Sequence, residues 1–263
     1  MTLPDLLPSS AVHLHISEDP AITSPSLLAA YEALLTPDEL VRRDRFRFER
    51  HRHQFLVSRA LLRTTLTHYH PSVLPQDWRF ALNTHGRPRI EGEIGNKLDF
   101  NLSHTEGCIV LAVSRVASPG VDIEAVDRTD ATIELACEFF SPAEVAELLV
   151  LAEPLQRRRF FDLWTMKEAY VKAKGLGLAI PLTAFTIGFP TANCLSIDFQ
   201  PEANDVSTFW QLWSVDMGDH YALSLAINCH KALSLRLFSN LPLQSIAETD
   251  CVIMRSTARY TRL

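Results

Sequence analysis

Gly120-Val121-Asp122-Ile123-Glu124 sets two carboxylates two residues apart. In an extended chain that spacing turns Asp122 and Glu124 to one face and Val121 and Ile123 to the other. Carboxylates side by side repel each other unless protons or a cation stand between them. All-oxygen ligation suits a hard divalent ion such as Mg²⁺, which keeps several waters and shares its sphere with phosphate oxygens. A half-exposed strand with an acidic outer face would present the same pattern. Further along, Phe161, Trp164, Glu168 and Lys172 fall at spacings of 3, 4 and 4, one continuous helix face. Aromatics beside Glu168 would exclude water and strengthen electrostatics there. Glu168 and Lys172 could equally be a surface ion pair worth about 0.3–0.5 kcal/mol. A third group is Asn101-Leu102-Ser103-His104, which ends an apolar strand before a turn at Gly107. Ser103 and His104 could bind phosphate oxygens, or His104 could act as a general base. A nucleophilic Ser103 is disfavoured, because no G-x-S-x-G elbow surrounds it. P-loop, dinucleotide-binding and metalloprotease motifs are absent.

The elements that must hold these residues show an internal repeat. Thr36-Pro37-Asp38-Glu39 offers an N-cap hydroxyl, Pro at the first helical position and Glu at N3, and Ser141-Pro142-Ala143-Glu144 offers the same 105 residues later. Cys108 to Val113 after Gly107, and Tyr221 to Ile227 after Gly218, each read as the second arm of a hairpin. The pattern predicts two similar α/β halves, 1–118 and 119–242, with a tail at 243–263. Phe55, Leu62, Leu66 and Tyr69 mark one helix ahead of Pro71, and Leu155 to Lys174 marks another that Gly175 ends. Trp78 to Leu82 reads as a strand, and 190–208 yields no assignment.

Composition narrows the function classes. The 263 residues are 47% hydrophobic and 21% charged, as in an ordinary globular protein. The longest apolar run, Cys108 to Val113, has six residues, against about 18 for a membrane span. No secretory leader is expected from the first ten residues. Five scattered cysteines argue against a disulfide framework or cysteine zinc site and for a reducing compartment, the cytoplasm. The net charge is −6, yet residues 42–63 hold eight Arg against Asp44 and Glu49. A cationic patch on an acidic chain fits a small polyanion better than nucleic acid, which would predict a basic domain. A solvated basic helix face is the alternative.

Taken in order, FRFERHRHQFLVSRALLR (46–63), GRP (86–88), FNLSH (100–104), GVDIE (120–124), FFSPAE (139–144) and WTMKEAYVKAKGLGL (164–178) resemble the Sfp-type 4′-phosphopantetheinyl transferases. The match runs over residues 36 to 240, and the pairing of GVDIE with W-T-x-K-E-A-x-x-K is its specific part. The resemblance implies a pseudo-twofold pair of α/β halves with coenzyme A in the cleft between them. It implies transfer of phosphopantetheine from coenzyme A to a serine of an apo acyl or peptidyl carrier protein, releasing adenosine 3′,5′-bisphosphate. On that resemblance Asp122, Glu124 and Glu168 hold Mg²⁺ at the pyrophosphate. Glu168 also accepts the serine proton, and Lys172 neutralises pyrophosphate charge. Arg87 and Pro88 line the adenine and 3′-phosphate end, Ser103 and His104 contact the 3′-phosphate, and Arg42 lies near the phosphates. The chain departs from the family in Arg87, where a Lys is usual, and in Glu39, where some members place a Lys and one phosphate contact would be lost. With both halves on one chain, a monomer is expected.

Overall fold

The computed structural model describes residues 7–128 and 133–257. The first pass runs β1 (Ala11–Ser17), α1 (Pro25–Glu32), α2 (Pro37–Asp44), α3 (Glu49–Tyr69), a short hairpin β2 (Phe80–Leu82) and β3 (Pro88–Ile90), then a hairpin β4 (Asp99–Thr105) and β5 (Cys108–Ser114). A second pass follows with β6 (Pro119–Ala125), α4 (Ile133–Phe139), α5 (Pro142–Leu149), α6 (Glu153–Lys174), hairpin β7 (Phe185–Thr191) and β8 (Cys194–Phe199), then β9 (Trp210–Val215) and β10 (Tyr221–Asn228). β11 (Ser234–Leu241), β12 (Ser245–Thr249) and β13 (Ile253–Thr257) complete the chain.

The repeat seen in the sequence is present in the mixed α/β architecture. β1, β5 and β4 lie side by side and antiparallel, and β6, β10 and β9 do the same. Both capping boxes form, at Thr36 with Glu39 on α2 and at Ser141 with Glu144 on α5. The long helices α3 and α6 end at Tyr69 and Lys174, again 105 residues apart.

The strands beyond Asn228 cut across the expected boundaries. β11, placed by sequence in the second half, pairs in parallel with β1, Ala11 opposite Ser234. β12 extends it into a five-stranded sheet of order β12-β11-β1-β5-β4. β13, placed in the tail, enters the second sheet between β9 and β8, giving β6-β10-β9-β13-β8-β7. Unpaired edges of β1 and β9 are thereby covered. Residues 258–263 of the expected tail lie outside the described residues. The expected strand from Trp78 begins only at Phe80; Trp78 is buried and its indole N–H donates to Thr67 Oγ1 at 2.9 Å.

Four layers result. α3 sets Leu62 and Leu66 against Ile109 and Leu111 of β5. The two sheets meet through Val12, Leu14 and Val110 on one side and Val121, Ile123 and Leu225 on the other. α6 covers the second sheet with Phe161, Ala169 and Tyr170 against Leu212 and Ala226. Among the described residues no helix is long and apolar enough to cross a membrane.

Candidate active site

β6 carries Asp122 and Glu124 on the face turned to α6, because Val121 and Ile123 occupy the core between the sheets. On one edge it pairs with β10, Asp122 opposite Ser224. Its other edge meets β4 of the first sheet through side chains. Val121 N–H donates to Asn101 Oδ1 at 2.8 Å, Ile123 N–H to Ser103 Oγ at 3.4 Å, and Ala125 N–H to Thr105 Oγ1 at 3.1 Å. Every second residue of FNLSHT thus closes the seam between the halves.

α6 sits unusually close to this strand because residue 120 is glycine. A Cβ there would stand 1.9 Å from Ala169 O and 2.3 Å from Ala173 N. The approach brings Glu168 and Lys172 to the β6 carboxylates. The Lys172 ammonium donates to Asp122 Oδ1 at 2.5 Å, Ser103 Oγ at 3.0 Å and Val121 O at 3.3 Å, so it pairs with β6 and not with Glu168. Gly175, at φ 67°, then ends α6 in the left-handed conformation a glycine adopts without cost.

Asp122 is buried, and its Oδ2 has no hydrogen-bond partner. Glu124 Oε2 accepts from Arg128 at 2.5 Å and from Thr105 Oγ1 at 3.3 Å. Half-buried Glu168 accepts no hydrogen bond from the described residues. Burial pushes the Glu168 carboxyl above the usual carboxylate range; Asp122 and Glu124 add to this and Lys172 opposes it. Burial also raises Glu124, with Asp122 adding and Arg128 opposing. Two raised carboxyls beside a buried Asp122 oxygen without a partner are hard oxygen donors, the type a divalent cation such as Mg²⁺ takes. Among the described residues, no three His, Cys, Asp or Glu side chains already stand grouped at ligand spacing.

Beside this cluster an open cleft of ≈ 1230 Å³ is lined by Arg42, Pro88, His104 and Glu124, among others. Arg42 lies with its guanidinium 5.6 Å from the Phe55 ring centroid. Burial, then Lys172, pushes the His104 imidazole below its usual value.

Two side chains expected at the 3′-phosphate are engaged within the protein. Arg87, expected at the 3′-phosphate, does not line the cleft. Its side chain is 8% exposed, and its guanidinium donates to the carbonyls of Lys172, Phe100 (3.1 Å) and Pro119 (2.9 Å). It clamps the end of α6 to β4 and β6. Ser103, expected at the same phosphate, is buried and donates to Asp122 Oδ1 at 2.8 Å. The Arg-rich patch is also smaller than the sequence suggests. Glu39 caps α2 and pairs with both Arg59 and Arg63, the latter buried, while Arg43 pairs with Glu32 and Arg52 with Glu49. Glu39 is therefore a structural clamp. Thr105 and Arg128 escaped the sequence reading; the polar alternation 101, 103, 105 was the available signal for Thr105.

Comparison with known proteins identifies the family. Residues 23–116 match the N-terminal region of 4′-phosphopantetheinyl transferase, and residues 118–226 match the 4′-phosphopantetheinyl transferase superfamily. The chain is 35% identical to the 4′-phosphopantetheinyl transferase HetI of Nostoc sp. over 63% of its own length and 70% of that protein. It is 27% identical to the 4′-phosphopantetheinyl transferase Sfp of Bacillus subtilis, over 74% of its length and 84% of Sfp. Among solved structures, Thermotoga maritima holo-[acyl-carrier-protein] synthase aligns with a TM-score of 0.35 and 14% identity, covering 51% of this chain and 83% of that one. The chain belongs to the 4′-phosphopantetheinyl transferase family, enzymes that transfer the phosphopantetheine arm of coenzyme A to carrier proteins.

Proposed function

We propose that Asp122, Glu124 and Glu168 hold Mg²⁺ at the coenzyme A diphosphate and that Glu168 takes the proton from the carrier serine, directly or through a water. The observation that carries this reading is the buried, unpartnered Asp122 Oδ2 beside two carboxylates that repel it. Bound there, the cation would supply charge neutralisation to the diphosphate and the departing bisphosphate. The serine oxygen bonds to the phosphorus that carries the pantetheine arm. The bond from that phosphorus to the bridging oxygen breaks, and adenosine 3′,5′-bisphosphate leaves with the electron pair. Glu168, on the α6 face turned to β6, is the carboxylate that would accept the serine proton. Lys172 supports the cluster with a fixed positive charge on Asp122. Arg42, Pro88 and His104 line the cleft where the nucleotide end would lie, with Arg42 and His104 facing its phosphates.

Phosphoryl transfer depends mainly on positioning and charge neutralisation, and this site is built from those two elements. Both halves of the cleft come from one chain, which supports action as a monomer. All five cysteines are free thiols, in keeping with a reducing cytoplasm. The acceptor is an apo acyl or peptidyl carrier protein. Glu168→Gln tests the assignment. At saturating coenzyme A and Mg²⁺ its turnover should fall by roughly 100-fold or more, with melting temperature retained. Turnover near wild type would overturn the role of Glu168.

A further inference from the structure

We infer that Ser103 and Thr105 are positioning residues that fix the two β6 carboxylates, and that Ser103 makes no contact with the 3′-phosphate of coenzyme A. The inference rests on the cation site proposed above. A hydroxyl has one proton to give and two lone pairs to receive with. Ser103 Oγ receives the Lys172 ammonium at 3.0 Å and Ile123 N–H at 3.4 Å, so its proton goes to Asp122 Oδ1 at 2.8 Å. No donor remains for a phosphate, and the residue is 6% exposed.

Thr105 repeats the arrangement two residues on. Its Oγ1 receives Ala125 N–H at 3.1 Å and donates to Glu124 Oε2 at 3.3 Å. In both cases a β4 hydroxyl accepts the N–H that follows a carboxylate and donates to that carboxylate. The N–H fixes the oxygen, and the oxygen fixes the direction of the proton. Thr105 is itself held from α3, where Gln54 Nε2 donates to its carbonyl at 2.7 Å. Without these tethers, two like charges on one strand face would turn apart, and a cation would have to gather them on binding. Hydrogen bonds to ligating groups of this kind are worth roughly 10–100-fold in metal affinity.

The test uses Mn²⁺ as the probe, titrated by electron paramagnetic resonance into the full chain with coenzyme A present. Thr105→Val keeps the shape and removes the hydroxyl. It should weaken Mn²⁺ binding by roughly 10-fold or more, and Thr105→Ser should restore it. Ser103→Ala, a smaller change in the same seam, carries the same expectation should Thr105→Val fail to fold. Ser103→Ala should also slow transfer by the same factor with coenzyme A and with 3′-dephospho-coenzyme A. Wild-type Mn²⁺ affinity in Thr105→Val would overturn the inference while leaving the cation site standing. A Ser103→Ala defect that vanishes with 3′-dephospho-coenzyme A would show a phosphate contact and also overturn it. Failure of the wild-type chain to bind Mn²⁺ would overturn the inference together with the reading beneath it.

Discussion

Gly120→Ala adds one methyl group at the point where α6 rests on β6. Residue 120 lies outside the left-handed region, so alanine meets no backbone strain. In an ordinary strand the change would be mildly stabilising, by about 0.5–1 kcal/mol. Here the new Cβ would stand 1.9 Å from Ala169 O and 2.3 Å from Ala173 N. Both obstacles are helix backbone, so no rotamer change relieves them. Carbon and oxygen in contact need well over 3 Å, so α6 must withdraw by about 1 Å or more. Overpacking of this kind costs about 1–3 kcal/mol and occasionally more. The same withdrawal carries Glu168 and Lys172 away from Asp122, and a misplacement of about 1 Å costs on the order of 100-fold in rate. Thermal melting, together with turnover per folded molecule, reads both effects. Unchanged melting and turnover would refute the claim that helix-to-strand contact sets the spacing of the site.

Three further outcomes follow from other parts of the molecule. Lys167, fully buried, pairs with buried Glu144 at 2.8 Å and donates to the carbonyls of Leu182 and Phe185; Lys167→Met leaves that carboxylate uncompensated and should cost roughly 3–5 kcal/mol, with Glu144→Gln recovering part of it in the double variant, as denaturant melts would show. Buried His13 and His15 share the Tyr69 hydroxyl, and burial pushes them down to about 4 and about 3. Unfolded histidine binds its proton near pH 6.5 whereas the native pair stays neutral, so stability is full above that pH and falls below it, by about 2 kcal/mol per histidine at pH 5; urea melts at pH 7 and 5 measure this, and a flat profile would contradict it. Finally, Arg87→Lys keeps the charge but not the fork that reaches the carbonyls of Phe100 and Pro119; it should lower the melting temperature while leaving the Michaelis constant for coenzyme A within about threefold, since its lost hydrogen bonds, worth about 1 kcal/mol each, are internal.

The parts legible in the sequence are those whose signal is local. A capping box lies within four residues, and the faces that bring Asp122 beside Glu124 and Glu168 near Lys172 follow from strand and helix periods. The repeat was legible because two local signals each recur at a similar offset, Thr36 to Ser141 at 105 residues and Cys108 to Tyr221 at 113. What stayed hidden depends on partners far along the chain. Nothing around Ser234 says that β11 pairs with β1, over two hundred residues earlier, or that β13 slips between β9 and β8. Arg59 and Arg63 read as surface charge because Glu39, which draws them in, lies on another helix. Nothing around Arg87 in the sequence shows the three carbonyls that its guanidinium meets. In each case the sequence shows the residue type, while the direction of the side chain is set by tertiary packing.

On the proposed function, three carboxylates on β6 and α6 run a cation-dependent phosphopantetheine transfer. The intact mass of an apo carrier protein, after incubation with the chain, coenzyme A and Mg²⁺, tests it most directly. A gain of one phosphopantetheine is expected with the wild-type chain, and none when EDTA is added or when Asp122→Asn replaces it. Full modification in the presence of EDTA, or by Asp122→Asn, would contradict it.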